Sequence, residues 1–158
     1  MTNGNNTKTG PNDSLLVGYH FQVSFLLEGK NDNPLDIRFQ KVSGISAQVG
    51  SFTVTEGGEN LFIHRLPDRI TYNNLILERG LILTSRIRDD VDAVFNNFAF
   101  TGHHVMVSVL DKDSTPSKSW LFMSAYPAKW SISDLAADQN AVVIESMELA
   151  YTRFQRIK

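Results

Sequence analysis

No cysteine occurs in the 158 residues, so disulfides, thiolate nucleophiles and cysteine-based zinc sites are excluded outright. The fold has to hold by packing, and a chain of this length buries roughly two-thirds of its unfolded surface in one domain. An excess of positive charge is also missing: 15 Lys and Arg stand against 17 Asp and Glu, a formal net charge of −2. Nucleic-acid binders use a broad basic field to displace counterions, so recognition of a nucleic-acid sequence is not expected. No apolar run approaches the roughly 18 residues of a membrane span, and an integral membrane protein is not expected either. The polar opening MTNGNNTKTGPNDS lacks the apolar segment of a secretory signal, which points to folding and assembly in the cytoplasm. Residues 1–14 read as a flexible arm and 15–158 as one domain.

Motifs for chemistry are scarce as well. There is no G-x-S-x-G elbow for a serine nucleophile and no glycine-rich phosphate loop, and EGGEN is better placed in a turn. His20, His64, His103 and His104 are the nitrogen donors, but neighbouring histidines on a strand point to opposite faces and cannot hold one ion together. Asp111 and Asp113 sit in a turn signal, and Glu145 and Glu148 fall on opposite faces of a strand, so neither pair suits acid–base work. The expectation is a protein that is not an enzyme and that needs no cofactor or metal.

What the chain does contain is alternation. In GYHFQVSFLLEG, Tyr19, Phe21, Val23, Phe25 and Leu27 share one face of a half-buried strand. The segment ISAQVGSFTV changes phase: Ile45, Ala47 and Val49 are odd, Phe52 and Val54 even. A switch at Gly50 predicts a β-bulge, and Gly57 and Gly58 predict a turn, so an extended hairpin is expected over about 45–61. Leu66-Pro67-Asp68 reads as a turn, followed by one strand in which Thr71, Asn73, Leu75, Leu77 and Arg79 face one way. Ile87, Val91, Val94, Phe95 and Phe98 form one helical stripe, predicting a helix over about 85–98 capped by Thr84 or Ser85. HHVMVSVL and SKSWLFMSAYP read as strands around the loop DKDSTPSK, and the chain ends in the strand AVVIESMELAYTRF. Together these predict a mainly β fold, an antiparallel β-barrel or sandwich with one flanking helix.

In series, several stretches resemble a known family: LLVGYHFQVSF, the F-x-x-V-S-G-I segment at Phe39–Ile45, LPDRITYNNLILERG, the W-x-F-x-x-A-Y-P segment at Trp120–Pro127, and IESMELAYTRF. Their order resembles the tail-tube proteins of contractile phages and phage-tail-like contractile injection systems, themselves related to the haemolysin-coregulated protein of type VI secretion. The resemblance runs from about Leu15 to Phe154 and departs at Asp68, where the family pattern often has glycine. It implies six copies in a ring, rings stacked into a hollow tube, and partners in a contractile sheath, a baseplate and spike, and cargo in the lumen. The finished tube would belong to a phage tail or a phage-tail-like particle. A tube-initiating or baseplate-proximal ring is the alternative within that family, and a small-ligand β-barrel the alternative outside it.

Ring closure needs two different surfaces on each copy, and unblocked edge strands supply them. GYHFQVSF and VVIESMELAYTRF, free of proline, are the expected edges. Gly50, Phe52, Val54, Gly57, Gly58, Arg69, Arg79, Glu148 and Tyr151 are the candidate subunit and ring interface residues, with Arg69 and Arg79 expected as exposed rim charges.

Overall fold

The computed structural model of the chain describes residues 20–26, 38–55, 57–58, 63–82, 86–136 and 141–158. The arm expected at 1–14 and the cap expected of Thr84 or Ser85 lie outside the described residues. In chain order the elements are β1 (Phe21–Leu26), β2 (Lys41–Ser43), β3 (Ala47–Val54), β4 (His64–Tyr72), β5 (Leu75–Gly80) and α1 (Arg86–Asn97), then β6 (His103–Leu110), β7 (Pro116–Ile132), β8 (Ile144–Ala150) and β9 (Arg153–Arg156). The expected mainly β, antiparallel architecture with one helix is what forms.

Six strands follow one antiparallel path, β1-β6-β7-β8-β5-β2, with β9 beside β7; β3 and β4 make a separate two-stranded ribbon. The long β7 organises the path. Its first part pairs with β6, while β9 and then β8 run along its other edge. A strand of this length, roughly 55 Å if straight, has to bend to stay in a small domain. It does so at Ser124, with a φ of 52°, and at a register shift between Pro127 and Lys129. A proline inside a strand is tolerated at such an irregularity.

The bend lets the two halves of the path share one core. Val23 and Phe25 of β1, Val105 and Val107 of β6, and Phe122 of β7 join Leu75, Leu77, Met147 and Leu149 of β5 and β8 in a single cluster. Ile87 and Val91 of α1 close it from the side. The two ends of the path, β1 and β2, are joined by no ladder among the described residues, but Phe25 and Phe39 meet across the seam at 6.2 Å between ring centroids. The result is a barrel-like sandwich whose core, among the described residues, is filled by packed side chains.

Four expectations change. The stretch from Thr71 to Arg79 is not one strand, because β4 ends at Tyr72 and β5 begins at Leu75. Leu66-Pro67-Asp68 is not a turn but part of β4, where Pro67 pairs with Ser51 next to a bulge. The strand IESMELA is no edge: β8 lies between β7 and β5, and only β1 of the two expected edges is one. Finally, the helix buries Ile87, Val91 and Val94 but leaves Phe95 and Phe98 exposed. Phe98 lies past the helix end with a φ of 53°, so it leaves the stripe.

Gly44 shows why the F-x-x-V-S-G-I motif needs its glycine. Its φ is +85°, and a Cβ there would collide with the carbonyl of Asn74. Only glycine lets the chain turn from β2 into β3 against the β4–β5 junction.

Candidate functional site

The ribbon of β3 and β4 is the most exposed regular structure in the molecule, and it carries most of the candidate residues. Val49 pairs with Ile70 and Ser51 with Pro67, so Asp68 and Arg69 together oppose Gly50. This is the bulge that the phase change predicts, although its extra residue is on β4. A Cβ on Gly50 would sit 3.3 Å from both the Arg69 carbonyl oxygen and the Asp68 Cβ, a tight fit that β4 would have to yield to by a few tenths of an ångström. Beyond it, Phe52 pairs with Leu66 and Val54 with His64. Gly57 and Gly58 lie in a turn, as expected.

The ribbon's apolar side chains face solvent: Val49 is 60% exposed, Ile70 53%, Phe52 47% and Leu66 44%. Clustered exposed apolar side chains on a ribbon with open edges mark an interaction surface. Of these four exposed side chains the sequence reading singles out Phe52 and not Val49, Leu66 or Ile70; Val54, its other apolar candidate on the ribbon, is half-buried. The signal for Leu66 is masked when Pro67 is read as a turn residue.

Tyr151 and Glu148 hold the root of the ribbon. Tyr72 lies 5.8 Å from Tyr151 and 5.5 Å from Phe154 between ring centroids. Burial, and to a lesser degree the neighbouring Tyr72, pushes the Tyr151 hydroxyl above the ordinary tyrosine range. Glu148 accepts hydrogen bonds from Lys129 Nζ (3.0 Å) and from Asn74 Nδ2 (3.4 Å) at the β4–β5 junction. These bonds, that of Lys129 first, hold its carboxyl below the ordinary value of 4.5. A carboxylate with a depressed folded pKa contributes stability above its unfolded pKa and loses it as pH falls through the lower folded value. Lys129→Ala is expected to move the Glu148 midpoint up toward the ordinary value, measured by NMR titration of the unassembled chain.

Arg79 is in a different place from the expected rim. It is 2% exposed, and its Nε donates to Glu145 Oε2 at 3.0 Å, with side-chain exposures of only 3% and 2%. Trp130 Nε1 donates to the other oxygen of Glu145 at 2.7 Å, and the Arg79 guanidinium lies 5.4 Å from the centre of the Phe39 ring. Arg79 is therefore an internal residue, whereas Arg69 in the bulge is exposed.

A second apolar surface is not foreseen in the sequence. Phe98, 82% exposed, stacks edge-on against Phe100 at 4.8 Å, which in turn meets Tyr126 at 5.5 Å. A third feature is an open cleft of about 250 Å³ at the β1–β2 seam, lined by Phe21, Val42, Ile45, Val107, Val109 and Trp120 among others. Among the described residues no three His, Asp or Glu side chains gather as a metal site, and no helix is long and apolar enough to cross a membrane.

A mainly β, barrel-like sandwich with one helix is the fold that the sequence resemblance implies, and the ribbon is the hairpin that the phase change at Gly50 predicts. The family model of the T4-like virus tail tube protein gp19 matches residues 17–155. This chain belongs to that tail-tube family. As a tail-tube protein it is a structural subunit of the tube of a phage tail or contractile injection system. A chain in the six-fold symmetrised cryo-EM structure of the anti-feeding prophage baseplate is 31% identical, covering 91% of this tail-tube protein and 96% of that chain at a TM-score of 0.82. A chain from the extended sheath–tube complex of the extracellular contractile injection system PVC is 18% identical, with 91% and 92% covered and a TM-score of 0.75. Hcp1 from Flavobacterium johnsoniae shares 11% identity over 88% of this chain and 95% of its own, at a TM-score of 0.51. At the last two identities the fold is what is shared. Among curated proteins, none matches this sequence.

Proposed function

We propose that this tail-tube protein forms hexameric rings that stack into a hollow tube, acting by assembly and without catalysis. The observation that carries this reading is the projecting ribbon, whose exposed apolar pairs have no cover within the subunit's described residues. Burying them against other copies supplies the hydrophobic gain that a repeated assembly needs. Gly50, Phe52, Val54, Gly57, Gly58 and Arg69 would lie in or beside those contacts, and Glu148 and Tyr151 would fix the ribbon's root. The edge of β1, unpaired among the described residues, offers a further surface for a head-to-tail ring.

The tube would assemble in the cytoplasm, run inside a contractile sheath, end on a baseplate with its spike, and carry cargo in its lumen. The contractile-system likeness supports the sheath and the baseplate among those partners. Purified protein examined by negative-stain electron microscopy is expected to show six-fold rings and stacks of rings. A strictly monomeric species at high concentration would overturn the reading.

A second reading, a ring at the baseplate end of the tube, is favoured by one contrast. The chain is 31% identical to a chain from a baseplate structure but 18% identical to one from a sheath–tube complex. Under that reading the purified protein stops at rings and does not extend into long tubes.

A further inference from the structure

Two apolar features away from the ribbon stay open to solvent, and they are of opposite shape. One is a knob. Phe98 ends α1 in the left-handed conformation that usually belongs to glycine, with a φ of 53°, and it is 82% exposed. Phe100 stands edge-on against it, and Tyr126 against Phe100. A bulky side chain at such a φ is uncommon, and its apolar surface lies in water, so the lone subunit gains nothing here that glycine would not supply better. The other is a socket, the seam cleft lined by Phe21, Val42, Ile45, Val107, Val109 and Trp120 among others. An apolar cavity of about 150 Å³ is enough to hold a benzene ring. The cleft, at about 250 Å³, therefore admits one phenyl side chain.

Knob and socket cannot meet within one subunit. They lie at opposite ends of the β6–β7 ladder: His103 pairs with Ala125, next to Tyr126, at one end, and Val109 pairs with Lys118 at the other. From His103 to Val109 the strand covers roughly 20 Å.

Charge distinguishes the two as well. Asp89, Asp92 and Phe95 follow one another at three-residue spacing on the exposed face of α1, leading to Phe98. Cations gather at the socket. Lys41 is part of its lining, Lys118 stands opposite Val109, and Arg156 stands opposite Trp120; residues directly opposite in an antiparallel pair share a face. Lys41 is tied to Glu78 at 2.8 Å. Lys118, Arg156, Asp89 and Asp92 make no ion pair among the described residues.

We propose that Phe98 of one copy, with the acidic face of α1 beside it, seats in the seam cleft of a second copy, where Lys118 and Arg156 meet Asp89 and Asp92. A second copy is the occupant because this chain carries both halves of the contact, matched in shape and opposite in charge. Two different surfaces joined in this way make a head-to-tail contact, which a closed ring or an open stack repeats. The contact rests on the ring-and-stack reading and is independent of the ribbon.

Phe98→Gly separates an assembly role from a folding one. In urea denaturation the unassembled variant is expected to be at least as stable as the parent, because glycine suits the left-handed position. In sedimentation velocity it is expected to assemble only at concentrations roughly ten-fold higher or more, through the loss of one buried aromatic side chain. Two paired charge reversals, Asp89→Lys with Asp92→Lys and Lys118→Glu with Arg156→Glu, are each expected to raise the assembly concentration. All four reversals in one chain are expected to bring it back toward that of the parent, and circular dichroism checks the fold of each variant. Assembly of Phe98→Gly as in the parent, or a fourfold reversal that assembles no better than either pair, would overturn the contact and leave the ring-and-stack reading in place. A parent chain that forms no rings would overturn that reading and the contact with it.

Discussion

Glu145→Gln is expected to lower the unfolding free energy by about 3–5 kcal/mol, the usual cost of removing one charge from a buried ion pair. Arg79 and Glu145 are nearly inaccessible, and they oppose each other directly in the β5–β8 register. The substituted amide would keep an acceptor for Trp130 but remove the charge that the Arg79 guanidinium faces at 3.0 Å. Urea denaturation of the unassembled chain measures the loss. Replacing both residues by methionine should recover much of it, because the desolvation cost of both charges disappears together. A double variant as unstable as the single one would show that the pair's packing and secondary contacts, such as Arg79 over Phe39, outweigh its charge balance. The pair also guards register. A two-residue slip between β5 and β8 keeps every apolar side chain on its face, yet it sets Arg79 opposite Met147 or Val143 and parts it from Glu145.

That pair is legible in the alternation, though not in the residue types. Arg79 falls in phase with Leu75 and Leu77, and Glu145 in phase with Met147 and Leu149; all four of those apolar partners are buried. A charge in the inward phase of one strand looks like an exception to be moved to the rim. Two opposite charges in the inward phases of two strands imply a buried pair, but only once those strands are known to be neighbours. Cross-strand partners are long-range information that a single strand's pattern does not hold.

The same reasoning separates what the sequence reveals from what it hides. The strands, the helix and the Gly50 bulge leave local signatures of period and phase, and these are visible. The ends of elements are less so: nothing in NNFAF marks the helix stop, because the left-handed residue there is Phe98 where glycine is usual. Pro67 looks like a turn because proline in mid-strand is uncommon, yet a two-stranded ribbon has open edges on which a missing amide costs little. The proposed interface is half legible for a related reason. Phe52 and Val54 stand out by their phase change, whereas Leu66 and Ile70 acquire meaning only through the register that sets them opposite Phe52 and Val49.

Phe122→Ala is expected to cost about 3–5 kcal/mol and also to weaken assembly. Phe122 is fully buried, with Tyr151 edge-on at 4.9 Å and Phe154 at 5.4 Å. Those two rings are the ones on which Tyr72 rests at the start of the ribbon. A cavity at Phe122 therefore removes support from the floor under the ribbon's root, in addition to the transfer and packing energy of the ring itself. Tyr72→Ala separates the two effects. Tyr72 is only half-buried, so its loss is expected to cost about 1 kcal/mol in denaturation, while the ribbon loses its anchor and ring formation falls sharply. If Tyr72→Ala assembled as well as the parent, the aromatic stack would be core packing alone, and the assembly defect of Phe122→Ala would have to scale with its lost stability. If instead both variants lose rings despite their different stabilities, the stack is what transmits the rigidity of the sandwich to the surface that meets other copies.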